Sequence, residues 1–316
     1  MDEGTLTVGS HTCTVQDELP QGLRLDRYVA EHLGLLTRSQ VKARVLTARV
    51  NGKDVKISRE LRPGDFLELR WQDPGPSELI PQDLPLKILY EDARVVVVDK
   101  EQGMVVHPGA GNAAGTLANA LLYRRMQRGA QGSGLRPGIV HRLDKDTSGV
   151  IIAAYDDDAL TFLSEQFKER RTKKTYLALA VGAPREDSGR IEQRLVRDTR
   201  DRKRFTWTES GGRTACTLYR VLRRFDGYSL LALRPLTGRT HQLRVHLRWL
   251  GCPILGDPIY TPKDKGFPKA TLMLHARKLA ILLPGSSMPS AFAAPLPQRF
   301  KSIIGILAKR SLGSRW

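Results

Sequence analysis

The sequence predicts an α+β protein made of two units, a small α/β unit at the N-terminus and a larger unit built on a mixed, largely antiparallel sheet. Three observations support this prediction. The predicted strands and helices do not alternate strictly, which disfavours a doubly wound parallel sheet. The chain has 316 residues, a length typical of about two domains. A proline-rich linker, QDPGPSELIPQDLP at residues 72–85, separates the two parts.

Residues 22–71 are predicted to form the small unit, with two short helices followed by strands. The apolar side chains of RLDRYVAEHL recur on one face at helical spacing. Thr37 and Gln40 have the capping-box pattern, which predicts a second helix in SQVKARVL. The Asn51-Gly52 pair between β-branched residues predicts a tight hairpin, and RPGD predicts a further turn before FLELR.

Basic side chains follow the two predicted helices and the strand after them. They are Arg24, Arg27, Arg38, Lys42, Arg44 and Arg49. A basic face of this kind suits the phosphates of a nucleic acid. A solvated helix surface carries similar charges, so the residue pattern by itself leaves both interpretations open.

The larger unit, residues 86–310, is predicted to combine strands with interspersed helices. The predicted strands are VVVVD at 95–99, VIIAA at 150–154, YLALAV at 176–181 and YSLLALRP at 228–235. The predicted helices are GTLANALLYRRM, DALTFLSEQFK and THQLRVHLRWL. The last helix is predicted to begin at Thr240 as its N-cap and to end at Gly251, with Arg244 at the edge of its apolar stripe.

The composition indicates a polyanionic partner. The chain carries 51 lysine and arginine residues against 33 acidic residues, which gives a formal net charge of +18. Nucleic acid is the leading candidate, because no apolar run approaches the length of a membrane span. The first twenty residues contain acids but no lysine or arginine, and the three cysteines show neither disulfide nor metal-ligand spacing. We therefore expect a cytoplasmic protein.

The stretch HRLDKDTSG, residues 141–149, places several charged side chains at the end of an apolar run that is expected to be a strand. Burying an unpaired carboxylate is costly, so Asp144 needs solvent or a cationic partner. One interpretation is a β-turn with an aspartate cap. Another is the DxDx[TV] motif of aspartyl-phosphate hydrolases, which use magnesium. That motif fits poorly, because Ser148 stands where it has threonine or valine and no doubly wound pattern surrounds it.

Several blocks of the sequence, in order, resemble the RluA/RluD-type pseudouridine synthases. They are GMVVHPGAGNAAGTLANAL, HRLDKDTSG, KKTYLALAVG, RPLTGRTHQLRVHLRWLGCPILGDPIY and LMLHARKL. The N-terminal unit resembles the S-four RNA-binding domain in RLDRYVAEHL, TRSQVKARVL, VNG and PGD. The resemblance implies the pseudouridine synthase fold and the isomerisation of specific uridines in RNA, with large-subunit ribosomal RNA as the expected substrate and no metal or cofactor.

The resemblance also implies roles for individual residues. Asp144 corresponds to the catalytic aspartate, and Arg244 to the arginine that pairs with it. A guanidinium in this place would hold the carboxylate ionised where water is excluded. Tyr176 corresponds to the tyrosine that packs against the target base. Arg142 corresponds to the arginine that occupies the space left by the extruded base.

Two questions stay open at this level. Asp144 could add to the sugar, add to the base, or remove the proton beside the 2′-hydroxyl, since each route needs an ionised aspartate touching the nucleotide. The alternative function is a catalytically idle RNA-binding or ribosome-assembly factor. A binder has no need to keep a carboxylate among phosphates, which favours the enzyme.

The remaining candidates lie around this set. The basic segments KERRTKK and RIEQRLVRDTRDRKR are expected to follow RNA phosphates, with Lys173 and Lys174 as contacts. The histidines lack the paired spacing of metal ligands, so we expect them to form structural hydrogen bonds. They are His141, His241, His246 and His275. Two departures from the family pattern, the absence of a proline after Lys100 and Thr261 in place of glycine, affect turns near the expected cleft.

Overall fold

The computed structural model describes residues 7–16, 20, 22–36, 38–73, 79–109, 111–129, 137–201 and 203–313. The chain divides into two compact units, residues 1–78 and residues 79–316. Three features of the sequence analysis lie outside the described residues. They are the cap at Thr37, residues 74–78 of the predicted linker, and Arg202 of the second basic segment.

The N-terminal unit is an antiparallel sheet with two short helices. Its elements are β1 (Thr7–Thr14), α1 (Leu25–Glu31), α2 (Arg38–Arg44), β2 (Val45–Val50), β3 (Lys53–Asp54) and β4 (Phe66–Asp73). The strand order is β1-β4-β2-β3. Both predicted helices are confirmed, although α2 is shorter than predicted because Val45 and Leu46 already belong to β2.

The hairpin and the first strand of this unit differ in how well the sequence predicts them. Asn51 and Gly52 connect β2 to β3 with φ values of 52° and 74°, the backbone that a type I′ turn requires, so this prediction is confirmed. Strand β1 lies ahead of the predicted range 22–71 and pairs along its length with β4. Its sequence, TVGSHTCT, lacks the alternation of large apolar residues by which a strand is recognised.

The larger unit is built on one extended sheet. Its strands are β5 (Lys87–Glu91), β6 (Val95–Lys100), β7 (Ser148–Ala154), β8 (Lys173–Val181), β9 (Ser188–Arg197), β10 (Phe205–Thr208), β11 (Arg213–Phe225), β12 (Tyr228–Pro235), β13 (Leu274–Leu282) and β14 (Pro289–Ala293). Its helices are α3 (Leu117–Gln127), α4 (Asp157–Lys168), α5 (Gln242–Trp249) and α6 (Gln298–Gly313). No helix in the described ranges is both long and apolar enough to span a membrane.

The sheet is mixed and largely antiparallel, which confirms the predicted fold class. Its order is β10-β9-β11-β12-β8-β13-β7-β6-β5, with β14 also paired to β13. Among the pairs that the structure describes, β13 with β7 is parallel and the others are antiparallel. This parallel pair lies at the centre of the sheet, and the stretch HRLDKDTSG leads directly into it.

Strands β6 and β7 are buried on both faces. One face, with Val97 and Ile152, packs against α4 through Leu163. The other face packs against α3 through Leu117 and Leu121. Burial on both faces explains why VVVVD and VIIAA are continuous apolar runs rather than alternating ones.

Helix α5 begins differently from the prediction. The assignment of Thr240 as N-cap is wrong, because His241 holds that position with φ 55° and without a side-chain cap. The preceding loop is held instead by Gln242, whose Oε1 accepts the Arg239 N–H at 3.0 Å and the Thr237 hydroxyl at 2.7 Å. The helix buries its predicted apolar stripe in the main core of this unit.

A charged cluster fastens α3 to the edge of the sheet. Glu91, at the end of β5, accepts hydrogen bonds from the guanidinium of Arg124 on α3 and from the hydroxyl of Tyr155. Arg128 lies 3.4 Å from the same carboxylate. The hydrogen bond from Arg124 is the main reason why the pKa of Glu91 is lowered to about 2, although burial opposes the shift.

Replacing Glu91 by glutamine is expected to lower the free energy of unfolding by about 2 kcal/mol at neutral pH, since the amide loses the charge-assisted bonds and Arg124 is partly screened by solvent. The pKa of Glu91 is depressed in the folded state, from 4.5 to about 2. Its contribution is therefore full above about pH 4.5 and is lost as the pH falls toward 2.

Urea unfolding at neutral and acidic pH tests this expectation. The unfolding free energies of wild type and Glu91→Gln should differ at neutral pH and converge in acid. Asp187→Asn is the matched control, because Asp187 forms an exposed pair with Arg224 at 2.8 Å and its loss should change little. A difference between wild type and Glu91→Gln that does not depend on pH would contradict the assignment.

Candidate active site

Asp144 lies in a loop, residues 141–147, that leads into strand β7. The sequence suggested that the charges follow an apolar strand, and this is wrong. The apolar residues before the loop make one isolated bridge, between Ile139 and Ala153, while the regular strand begins only at Ser148. A turn in which the Thr147 N–H donates to the Asp144 carbonyl at 3.1 Å closes the loop.

A buried lysine holds this loop by its backbone. Lys100, at the end of β6, is completely buried, and its Nζ donates to three carbonyl oxygens. They belong to Met104 at 2.8 Å, Glu101 at 2.9 Å and Lys145 at 3.1 Å. Burial lowers the pKa of Lys100 to about 8, against the opposing effect of nearby carboxylates. The residue that follows Asp144 is thus bonded to a cation inside the protein.

The turn after β6 adds two more bonds to the loop. The Gly103 N–H donates to the Lys145 carbonyl at 2.9 Å, with Gly103 at φ 89°. The side-chain amide of Gln102 donates to the carbonyls of Asp146 at 2.9 Å and Leu272 at 3.1 Å. The departure from the family's Lys-Pro pattern therefore lies in the turn that supports the Asp144 loop.

Gly149 marks a close approach between two strands. Its φ is 116°, and a Cβ atom there would lie 2.2 Å from the carbonyl oxygen of Ala276 on β13. Next to it, the Ser148 hydroxyl accepts a hydrogen bond from Arg299 at 2.7 Å and is 2.9 Å from Nδ1 of His275. The end of HRLDKDTSG is therefore locked into the parallel strand pair, which fixes where the Asp144 loop ends.

Arg244 on α5 is buried between two carboxylates. Its Nε and Nη2 donate to the two oxygens of Asp257, each at 2.7 Å, and its Nη1 lies 3.4 Å from Oδ2 of Asp144. The guanidinium also lies over the ring of Tyr260, 5.0 Å from the ring centroid. Asp257 accepts two further bonds from the backbone N–H groups of Ile259 and Tyr260. The structure thus brings Arg244 and Asp144 together, with Asp257 as a third member.

His241 lies between Tyr260 and Asp144. Its Nδ1 is 2.8 Å from the Tyr260 hydroxyl, which accepts the backbone N–H of Phe205 at 2.8 Å. Burial lowers the pKa of His241, although Asp144 opposes the shift, so the ring is neutral at pH 7. Its Nε2 lies 3.9 Å from Oδ2 of Asp144.

Asp144, His241 and Arg244 line a cavity of about 440 Å³ in the larger unit. Its lining includes all four residues that the resemblance assigned to the reaction. They are Arg142, Asp144, Tyr176 and Arg244. Tyr176 on β8 is half-buried between two core clusters. The pKa of its hydroxyl is raised, mainly by burial and to a smaller extent by the nearby Asp144. Arg142 is exposed, so its guanidinium is accessible from solvent.

Strand geometry separates the two candidate lysines of β8. Lys174 lies two residues before Tyr176, on the same face, and lines the cavity. Its Nζ is 5.8 Å from the ring centroid of Phe167. Lys173 is exposed and is not among the residues that line the cavity.

The histidines form the structural hydrogen bonds that the sequence analysis expected. Each is bonded through a ring nitrogen to a backbone N–H or a hydroxyl group at 2.8 to 3.1 Å, at His141, His241, His246 and His275. In the described ranges, no group of three or more histidine, cysteine or acidic residues is placed to bind a metal ion.

The candidate RNA contacts of the N-terminal unit are partly engaged in ion pairs. Asp26 is buried and accepts bonds from Arg24 at 3.1 Å and from Arg38 at 3.0 Å. Arg27 pairs with Glu31 at 2.9 Å on the surface of α1. Arg24, Arg27 and Arg38 all remain more than 40% exposed at the side chain, so each can still meet an anion. Of the remaining basic residues, Lys42 and Arg44 lie in the last turn of α2, and Arg49 on β2 pairs with Asp54 at 2.9 Å.

Three residues that support the site had no role assigned from the sequence, namely Lys100, Asp257 and Tyr260. Asp257 and Tyr260 stand within the block LGDPIY that carried part of the resemblance, and an aspartate in an otherwise apolar block is a signal of a paired, buried carboxylate. Lys100 ends the run VVVVDK, where a basic residue after a buried strand is ordinary. Its burial depends on three carbonyls, two in the turn that follows the strand and one in the Asp144 loop.

Comparisons with known proteins agree on one family. A family profile described as RNA pseudouridylate synthase matches residues 94–249. The chain is 42% identical over 286 residues to the ribosomal large subunit pseudouridine synthase D of Borreliella burgdorferi, which covers 88% of this chain and 87% of that protein. It is 38% identical over 306 residues to the protein of the same name from Xanthomonas campestris pv. campestris, with coverages of 92% and 90%.

A solved structure gives the same result. Human RNA Pseudouridylate Synthase Domain Containing 4 is similar with a TM-score of 0.57 and 29% sequence identity. The match covers 70% of this chain and 93% of the human chain.

Asp257→Asn is expected to lower the free energy of unfolding by about 3 kcal/mol, because it removes the main counter-charge of a buried guanidinium. Asp144 remains near Arg244 and offsets part of the loss. Urea unfolding measures the change. Asp158→Asn is the control, since the side chain of Asp158 is 96% exposed and lies 4.0 Å from the guanidinium of Arg94. Similar stabilities for wild type and Asp257→Asn would contradict a structural role for this ion pair.

Proposed function

This chain belongs to the RluA/RluD-type family of RNA pseudouridine synthases, and we propose that it isomerises uridines of large-subunit ribosomal RNA with Asp144 as the catalytic carboxylate. The observation that carries the proposal is the meeting of Asp144, Arg244 and Tyr176 at one cavity. Two relatives of this chain are named for the large ribosomal subunit, which supports that substrate.

The reaction rearranges a single nucleotide. The bond from the anomeric carbon to N1 of uracil breaks, a bond from that carbon to C5 forms, C5 loses its proton and N1 gains one. No electron is transferred to another molecule, and no atom of the nucleotide is replaced except these protons. The isomerisation therefore needs a nucleophile or base in contact with the nucleotide, which is the role we assign to the Asp144 carboxylate.

The neighbours of Asp144 suit this role. Arg244 supplies a fixed positive charge at 3.4 Å, and its bidentate pairing with Asp257 keeps the guanidinium in place without help from substrate. Nε2 of the neutral His241 lies 3.9 Å from the same carboxylate oxygen. The anion is thus held by the preorganised Arg244 on one side, while the cavity is open to the nucleotide on the other.

Tyr176 and Arg142 act on the base in this proposal. The aromatic ring of Tyr176 provides a surface on which an unstacked uracil can pack, a contact worth roughly 1–3 kcal/mol per base. A base must leave its stack to reach a cavity of this kind. The exposed guanidinium of Arg142 is planar and cationic, which suits it to fill the gap that the extruded base leaves.

The N-terminal unit is proposed to bind RNA. In this organisation residues 22–71 form an S-four-like module, residues 72–85 connect the units, and residues 86–310 carry out the reaction. The basic residues of α1 and α2 and the lysines of β8 would then contact phosphates. The free thiols of Cys13, Cys216 and Cys252 support a reducing compartment, the cytoplasm.

Asp144→Asn is expected to reduce uridine conversion at least about a thousandfold, because the amide can neither attack nor accept a proton. Conversion is read on large-subunit ribosomal RNA as a reverse-transcription stop after carbodiimide treatment. Asp146→Asn, two residues away in the same loop, is the control and should retain activity. Undiminished conversion by Asp144→Asn would contradict the assignment.

The double variant Lys42→Gln, Arg44→Gln is expected to raise KM for RNA roughly three- to tenfold while leaving kcat within about twofold, since it removes phosphate contacts in a unit that does not carry the reacting residues. Steady-state conversion of the same RNA measures both constants. Lys53→Gln, which removes a charge from β3, serves as the control. An unchanged KM would show that this surface of the N-terminal unit takes no part in binding.

A further inference from the structure

A second, basic groove adjoins the reaction cavity. It has a volume of about 540 Å³ and is lined by residues of β9, β11 and the loop before α5. Four residues line both spaces, so the groove and the cavity are neighbours on the same unit. They are Arg170, Leu236, Thr237 and Arg239. A volume of this size is in the range of sites that hold ligands as large as a nucleotide.

The charge of the groove is strongly positive. Its lining contains four arginines and one acid, Glu192. Glu192 is already paired with Arg190 at 2.8 Å, which leaves the other three guanidiniums in excess. Arg239 donates from Nε to the Thr214 carbonyl at 3.3 Å, an interaction that orients the guanidinium and does not neutralise it. The excess positive charge of the groove is carried by Arg170, Arg213 and Arg239.

The backbone at Arg170 gives an independent indication of function. Arg170 follows the C-cap of α4 and has φ 60°, a conformation in which glycine is the usual residue. A long arginine side chain at such a position is conformationally unfavourable, and strain of this kind concentrates at binding sites. Here the side chain is exposed and reaches the wall shared by cavity and groove.

We propose that this groove binds the phosphodiester backbone of the RNA strand next to the target uridine, with Arg213 as its main contact outside the reaction cavity. The inference rests on the proposed function, because it takes RNA as the substrate. Guanidiniums are the side chains best matched to phosphate oxygens, and several of them in one groove follow a strand without reading its sequence. The groove lies beside the base-binding cavity, so a nucleotide held at Asp144 and its neighbour can be bound together.

The test compares Arg213→Gln and Arg213→Lys with Arg220→Gln. Arg220 is exposed on the same strand, β11, and lines neither space, so it controls for a general loss of positive charge. The probe is large-subunit ribosomal RNA transcribed in vitro. KM, kcat and the dependence of RNA affinity on salt are measured for each variant.

Arg213→Gln should raise KM roughly three- to tenfold with kcat unchanged, and should reduce the slope of log affinity against log salt by about 0.7, the value of one phosphate contact on a single strand. Arg213→Lys should restore the slope, and Arg220→Gln should behave as wild type. Equal KM and slope in Arg213→Gln and wild type would overturn the proposal that the groove binds RNA. The proposal would also fail if Arg220→Gln changed KM and slope as much as Arg213→Gln does. Wild-type protein that binds this RNA without converting its uridines would instead overturn the proposed function.

An added competitor separates a strand site from a site for small anions. Inorganic phosphate at constant ionic strength should compete weakly with RNA and equally in wild type and Arg213→Gln. Strong competition in wild type that disappears in Arg213→Gln would identify a small-anion site and overturn the assignment to the RNA backbone.

Discussion

A buried cation must have its counter-charge close by, and in this protein that requirement organises the reaction site. The Arg244 guanidinium is 5% exposed at the side chain and forms a bidentate pair with Asp257, whose side chain is fully buried. Helix α5 can pack its apolar stripe into the core only if this pair forms, because an unpaired charge there would be too costly. The remaining nitrogen of the same guanidinium is directed at Asp144. One ion pair therefore serves both the packing of a helix and the orientation of the reactive carboxylate.

The large sheet determines where the other residues of the cavity lie. The central parallel pair, β13 with β7, fixes the start of β7 and with it the loop that bears Asp144. On the far side of β13, strand β8 presents Tyr176 and Lys174 on one face. Residues from four separate segments of the chain thus meet at one cavity, and the long-range hydrogen bonds of a single sheet determine their spacing.

The sequence predicts some of these features well and others hardly at all. The runs VVVVD and VIIAA, the hairpin at Asn51 and the stripe on α5 follow from local patterns, and the structure contains them. Asp144, Arg244 and Tyr176 could be named only through the family's motifs, because an isolated Leu-Asp, a helix arginine or a strand tyrosine is ordinary by itself.

What the sequence could not predict depends on contacts between distant segments. Thr240 was the better N-cap by residue type, yet the chain places His241 there in a left-handed conformation, and the ring is held by Tyr260. Strand β1 is stabilised by its pairing with β4 and has no apolar pattern of its own. The role of Asp257 becomes apparent only from its ion pair with Arg244. The groove beside the cavity likewise joins arginines that lie far apart along the chain.

The bonds of Lys100 have a consequence for the motions of the protein. Its Nζ joins the turn after β6 to the loop that bears Asp144, and the lysine itself is fully buried. Opening either segment would leave carbonyls and an ammonium group without their hydrogen-bond partners. The two segments should therefore open together, as one cooperative unit. Amide hydrogens on both sides of this lysine would then exchange with deuterium at matched, slow rates, unlike those of an ordinary surface loop.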